Sequence, residues 1–310
     1  TGSCHELQWG RDSLLIDCGQ FQGAEGPVRL DVSLARVRAL LLTHAHIDHI
    51  GRLPELLSCG LTAPIYCSEA TALLAPVMLA DALRHSAGSQ RSAIEPLLQR
   101  LGHLLRPLPF AQWQRLLLSD HSVLYFRLQP AGHILGSAYL ELRLPDGQVV
   151  VFSGDLGSGR SALLPAPLSP ERADLLVLES TYGDRLHPHG EPRHRQLKAV
   201  VERSLRDGGA ILIPAFSIGR TQELLCDLEQ ILSEVRSREE QWCWRDLPVV
   251  IDSPLGADVT HLYRRFRRVW RKEALARLQA GRHPLDFSQC VTIADHTAHE
   301  SLVHRLQQSG

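Results

Sequence analysis

Three histidines and an aspartate fall within six residues, in His44-Ala45-His46-Ile47-Asp48-His49. They follow the apolar run VRALLLT at 37–43, which reads as a short buried strand. An extended backbone alternates side-chain direction, so His44 and His46 can point to one side, with Asp48 and His49 where the next segment begins. Imidazoles and a carboxylate crowded this closely are costly unless a cation organises them. Neutral imidazole and carboxylate are the standard ligands of zinc, at about 2.0–2.2 Å. Two more candidates sit downstream, each at a strand end and flanked by glycine, which lets backbone approach closely. They are His133 in Ala131-Gly132-His133-Ile134-Leu135-Gly136-Ser137 and Asp155 in Phe152-Ser153-Gly154-Asp155-Leu156-Gly157. A single histidine after a strand is more often structural, so these two count only together and in this order.

The elements that must position them are legible as apolar runs. Residues 12–17, 37–43, 63–67, 121–130 and 174–180 read as strands, and 68–85 carries a helical period. SAYLELRL at 137–144 and QVVVFSG at 148–154 flank Pro145-Asp146-Gly147, a turn signal for a β-hairpin. Beyond about residue 190 the rhythm changes to helix 190–206, strand 210–216, helix 219–234, strand 247–252 and helix 256–277. This β-α alternation predicts a parallel sheet with covering helices. A domain change is expected in the polar stretch 181–190, giving domains 1–182 and 183–310.

Composition bounds the class. The chain has 310 residues, 44% hydrophobic and 22% charged, which is enough apolar material for a core and too much for disorder. A net charge of −1 means that any nucleic-acid site must be a local patch. Lysine occurs only at 198 and 272, so arginine supplies nearly all the positive charge. No apolar run is long enough for a transmembrane helix, and the opening Thr1-Gly2-Ser3-Cys4 reads neither as an initiator nor as a signal peptide. Seven cysteines, none in a CxxC pair, fit reduced thiols in a cytoplasm.

The set His44-x-His46-x-Asp48-His49, His133 and Asp155 resembles the metallo-β-lactamase superfamily. That resemblance implies an α/β fold, an αββα sandwich with two zinc ions at one edge of its sheets. His44, His46 and His133 would hold one ion, Asp48 and His49 the other, and Asp155 would bridge them. Asp17, in Leu15-Ile16-Asp17-Cys18-Gly19, matches the superfamily's early aspartate, which supports the ligand loop without binding metal. Glu179-Ser180-Thr181-Tyr182-Gly183, the run Pro214–Glu223 (PAFSIGRTQE) and Asp252-Ser253-Pro254-Leu255 are similar to the β-CASP branch. In that branch an inserted α/β domain clamps a nucleic-acid strand over the metal pair.

The branch implies a zinc-dependent ribonuclease that hydrolyses phosphodiester bonds in single-stranded RNA, by exo- or endonucleolytic attack. Asp48, Asp155 and Glu179 are then the catalytic candidates, with Glu179 and a downstream histidine helping to protonate the leaving oxygen. Ser217, Gly219, Arg220 and Thr221 open a helix, where free N–H groups and an arginine suit an RNA phosphate, and Ser253 could do similar work. Two family histidines beyond the inserted domain have no counterpart by Gly310, and one strand is missing at the start, so the chain reads as a fragment truncated at both ends. His296 and His299 are read as a solvated helix start, not as replacements. The partners expected are single-stranded RNA and a second copy of the chain in a homodimer, with no membrane. The competing readings are a DNA-processing relative, a small-molecule hydrolase of thioesterase type, and a scaffold that binds RNA without cutting.

Overall fold

The computed structural model describes residues 2–21, 30–86, 92–186, 192–207, 209–236, 244, 247–293 and 295–309. Residues 187–190 of the polar stretch expected to separate the domains, and Cys243, lie outside them. The chain divides into two compact units, residues 1–160 with 166–183 and residues 161–165 with 184–310.

The first unit is built on two five-stranded sheets. One contains β1 (His5–Trp9), β2 (Asp12–Ile16), β3 (Val37–Leu41), β4 (Ile65–Ser68) and β5 (Leu105–Leu108), in that spatial order. β1 and β2 form an antiparallel pair, and β2 to β5 run parallel. The other contains β6 (Gln114–Leu117), β7 (Val123–Pro130), β8 (Ala138–Arg143), β9 (Val149–Phe152) and β10 (Leu175–Val177), antiparallel except for the parallel β9–β10 pair. Two short helices, α1 (Ile47–Ile50) and α2 (Leu53–Ser58), and two longer ones, α3 (Glu69–Ser86) and α4 (Ile94–Leu104), belong with the first sheet.

Strand chemistry explains the layering. β2 is buried at every residue, as expected of a parallel strand covered on both faces. β7 alternates, with Leu124, Phe126 and Leu128 buried and Tyr125 exposed. Leu14, Ile16, Ala39 and Leu41 of the first sheet meet Leu124, Phe126, Leu140, Val150 and Phe152 of the second in one core. The predicted hairpin is present. Its turn closes by Leu144 N–H to Gln148 C=O at 2.8 Å and Gly147 N–H to Leu144 C=O at 2.9 Å.

The second unit contains α5 (Arg193–Ser204), α6 (Arg220–Arg236), β11 (Val249–Ile251), α7 (Pro254–Arg265), α8 (Lys272–Gln279), β12 (Cys290–Thr292) and α9 (His296–Ser309). β11 and β12 pair in parallel, and Val201, Leu228, Ile231, Leu232, Val235 and Trp244 form its core.

Three expectations differ from the structure. Residues 210–216 form no strand; Leu212 and Phe216 are largely exposed, and no described strand lies alongside to pair with them. An apolar run alone does not make a strand, because the ladder needs a partner. The buried strand expected over 174–180 shortens to β10, an edge strand with Leu175 and Leu176 about half exposed. The single helix expected over 256–277 is two helices joined by a 3-10 turn at Arg267–Val269, where the chain bends to bury Phe266 and Trp270. Arg271 N–H then donates to Leu163 C=O at 2.7 Å instead of continuing a helix.

Candidate metal centre

The candidate ligands follow the C-terminal ends of β3, β7 and β9, strands drawn from both sheets. The two sheet ends are tied at that edge by Ala138 N–H donating to Thr43 C=O at 2.8 Å. His44 is fully buried, His46 is extended and precedes α1, and α1 carries Asp48 and the buried His49.

Asp17 fixes this loop. It follows β2 directly, is fully buried, and takes a φ of 57°. Its Oδ1 accepts Thr43 N–H at 2.8 Å, and its Oδ2 accepts the Thr43 hydroxyl at 2.7 Å and His49 Nδ1–H at 2.7 Å. With its own proton on Asp17, Thr43 Oγ1 accepts from His44 Nδ1–H at 3.0 Å. This leaves a free Nε2 lone pair on His44, while on His49 a cation at Nε2 would have to displace a proton.

The His133 loop is held from beneath. Ser137 Oγ accepts His133 N–H at 2.9 Å and Ile134 N–H at 3.2 Å. Gly136 has a φ of +82°, and a Cβ there would lie 2.7 Å from Ser68 Oγ, so only glycine fits. The Ser68 and Thr71 hydroxyls both donate to its carbonyl, at 2.7 and 3.0 Å. Before Asp155, Gly154 has a φ of +50° and lies against Thr43, where a Cβ would come within 2.7 Å of the side chain.

The side chains converge. His46 Nδ1 lies 3.1 Å from both His44 Nε2 and His133 Nε2. Asp155 Oδ2 is 3.7 Å from His44 Nε2 and 3.5 Å from His133 Nε2, whereas its Oδ1 is 3.2 Å from His49 Nε2. Asp48 Oδ2 stands 3.9 Å from His49 Nε2. One ligand atom from each of His44, His46, His133 and Asp155 lies within 4.8 Å of the others. Four ligands around a tetrahedral ion at ~2.0–2.2 Å are separated by roughly 3.3–3.6 Å, so the donor set and its spacing fit a divalent cation.

Electrostatics agree with that use at His44, His46 and His133. Burial holds His44 well below its ordinary pKa and His46 at about 4, and it lowers His133 as well, so these imidazoles are neutral donors. Burial also opposes charge on His49, but the Asp155 and Asp17 carboxylates bracket its ring and push it up to about 10. Burial works against the Asp155 carboxylate too, yet the His49 hydrogen bond keeps it below the ordinary range.

Glu179 lies in the same unit, two residues past β10. Its N–H donates to Ser153 Oγ at 2.9 Å, its Oε1 accepts Leu156 N–H at 2.8 Å and its Oε2 accepts the Thr181 hydroxyl at 2.7 Å. It therefore clamps the turn that carries Asp155.

The expected phosphate-binding residues sit in the second unit. Arg220 is the exposed first residue of α6. Ser253 caps α7 by accepting Gly256 N–H at 3.0 Å, and its Oγ is 3.4 Å from Ser217 Oγ. Gly219 N–H is used by Gln222 Oε1 at 2.7 Å, and the Thr221 hydroxyl donates to Phe216 C=O at 2.8 Å. The donors of Gly219 and Thr221 are thus used within the loop, whereas Arg220 is exposed and Ser217 and Ser253 are half-buried. Gln222, part of the PAFSIGRTQE run but given no role of its own there, is fully buried. Its Nε2 donates to Ser217 C=O at 3.0 Å and Thr260 Oγ1 at 2.9 Å, which holds the 217–219 loop. His299, read as solvated, pairs through Nδ1 with Asp252 Oδ2 at 2.8 Å.

Comparison with known proteins agrees with this geometry. The metallo-β-lactamase superfamily model matches residues 2–215, and the chain belongs to that superfamily. A Beta-Casp domain model matches residues 221–309, which identifies the branch. Ribonuclease TTHA0252 of Thermus thermophilus is 38% identical over 289 residues, covering 92% of this chain and 63% of that protein. An RNase J-like protein of Methanocaldococcus jannaschii is 29% identical over 256 residues, covering 82% of this chain and 56% of that protein. Cleavage and polyadenylation specificity factor 73 of Drosophila melanogaster is 28% identical over 240 residues, covering 75% and 34%. The chain thus spans under two thirds of the length of each of these relatives. No described helix is long and apolar enough to cross a membrane.

Proposed function

We propose that the protein is a zinc-dependent ribonuclease that hydrolyses phosphodiester bonds in single-stranded RNA, with two zinc ions per chain. The observation that carries this reading is the split of Asp155: Oδ2 faces His44 and His133, and Oδ1 faces His49. A carboxylate presented to two donor groups at once suits a bridge. In this reading His44, His46, His133 and Asp155 hold one ion, and Asp48, His49 and Asp155 hold the other. When bound, such a pair supplies Lewis acidity to the scissile phosphate and lowers the pKa of an attacking water.

This chain's residues do the rest. Asp17 and Thr43 orient His44 and His49. Glu179 keeps Asp155 in register through Oε1; its Oε2, whose Thr181 contact is exposed, is the atom able to carry a proton to the leaving 3′-oxygen. Arg220, Ser217 and Ser253 bind RNA phosphates, and this binding is salt-sensitive.

The test is cleavage of a single-stranded oligoribonucleotide by the full-length protein, beside its deoxy counterpart and a thioester. Cleavage of the RNA, abolished by a chelator and restored by zinc, is the expected result. Equal turnover of the DNA, or turnover of the thioester alone, overturns the RNA assignment.

A further inference from the structure

The strand pair that presents Asp17 also brings two thiols together. β1 and β2 pair with His5 opposite Ile16, yet Gly19 N–H donates to Ser3 C=O at 2.8 Å. One residue, Cys4, therefore faces two, Asp17 and Cys18: the extra residue of a β-bulge, made possible by the positive φ of Asp17. The bulge turns Cys18 toward Cys4. Cys18 is buried, Cys4 is half-buried, and the two thiols are close enough to interact. That contact lowers the Cys4 thiol and, with burial, raises that of Cys18. Cys67 is buried and pushed up to about 12 by that burial alone, and Cys59 stands exposed.

The surrounding backbone leads to the metal centre. Cys18 N–H donates to His49 C=O at 2.8 Å, Arg52 N–H donates to Cys18 C=O at 2.9 Å, and Ser3 N–H donates to Asp48 C=O at 2.7 Å. Neither cysteine belongs to the ligand set.

We propose that Cys4 and Cys18 are a modification site, closing to a reversible disulfide when a low-molecular-weight disulfide is the oxidant. The Cys4 thiolate attacks one sulfur of that oxidant, whose S–S bond breaks, and one small thiolate leaves. Cys18 gives up its proton and attacks the Cys4 sulfur, the mixed S–S bond breaks, and the second small thiolate leaves. Two protein thiols lose two hydrogens, and the oxidant becomes two thiols. Facing residues in a strand pair hold their Cβ atoms about 4.5–5.5 Å apart and a disulfide wants about 3.8 Å, so closure needs a shift on the order of 1 Å. The hydrogen bonds from Ser3 and Cys18 pass that shift to the peptides of Asp48 and His49. Only this last consequence, weaker binding of the second ion, rests on the zinc reading above.

The test equilibrates the full-length protein with oxidised glutathione, blocks remaining thiols by alkylation, and maps the peptides by mass. The expected result is a linked pair of peptides containing Cys4 and Cys18, two hydrogens lighter than the reduced pair and separated again by dithiothreitol. In Cys18→Ser, glutathione is expected to remain on Cys4. If Cys4 and Cys18 stay alkylatable in the wild-type protein while Cys59 carries glutathione, or if either cysteine links elsewhere, the proposal is wrong. The wild-type map decides this even if the variant fails to fold.

Discussion

Asp17 and Thr43 are joined twice, backbone N–H to Oδ1 at 2.8 Å and hydroxyl to Oδ2 at 2.7 Å, across 26 residues of chain. Asp17 reaches His49 directly and His44 through the Thr43 hydroxyl, so one carboxylate orients a histidine of each proposed metal position.

Removing the hydroxyl should therefore be felt in metal affinity. Thr43→Val keeps the shape but leaves His44 Nδ1–H without its acceptor. It should weaken zinc binding about 10- to 100-fold, read by competition with a chromogenic chelator. Thr43→Ser should bind nearly as the wild type does. Equal losses in both variants would mean that only packing was disturbed.

Glu179 combines a clamp with a candidate proton donor, and two substitutions separate these roles. Glu179→Gln retains an acceptor for Leu156 N–H but cannot deliver an acidic proton. It should keep the metal content and lower single-turnover RNA cleavage by roughly 10²- to 10⁴-fold. Glu179→Ala should lose metal as well, because the Asp155 turn is released.

Arg220 separates a phosphate clamp from a spectator. A charge-assisted bond to phosphate is worth about 1.5–3 kcal/mol, so Arg220→Ala should weaken RNA binding by roughly 10- to 150-fold with zinc content unchanged. The slope of log affinity against log salt should flatten by about 0.7 for one lost contact to a single strand. Arg220→Lys should recover part of the loss, because the charge remains and the fork does not.

Gln222 is a structural test of the same loop. Gln222→Leu would strand Gly219 N–H in a part-buried position and leave the buried Thr260 hydroxyl short of one partner. The cost is about 1–3 kcal/mol for a buried polar group left unsatisfied. Thermal unfolding should shift downward, and RNA affinity should fall with it, since Ser217 would lose its support.

The candidate ligands are legible in the sequence because their chemistry is local: four residues in six, then His133 and Asp155 at glycine-flanked strand ends. What supports them is not. The hydroxyl relay through Thr43, the Leu156 contact of Glu179 and the Gln222 brace depend on pairings that no spacing rule encodes. Apolar runs misled where packing decides. Residues 210–216 have strand composition without a described partner, and 256–277 has helical composition interrupted to bury Phe266 and Trp270. The bulge that joins Cys4 to Cys18 arises from the backbone of Asp17, a conformation that side-chain type does not announce.

Zinc stoichiometry decides whether a pair of ions shares Asp155. Metal-free full-length protein should be titrated with zinc, bound metal measured by mass spectrometry of the intact protein, and RNA cleavage followed in parallel. Two ions per chain are predicted, with cleavage appearing only as the second binds, and Asp155→Ala should lose both cleavage and double occupancy. Saturation at one ion with full cleavage, or an Asp155→Ala variant that still binds two, would contradict the account.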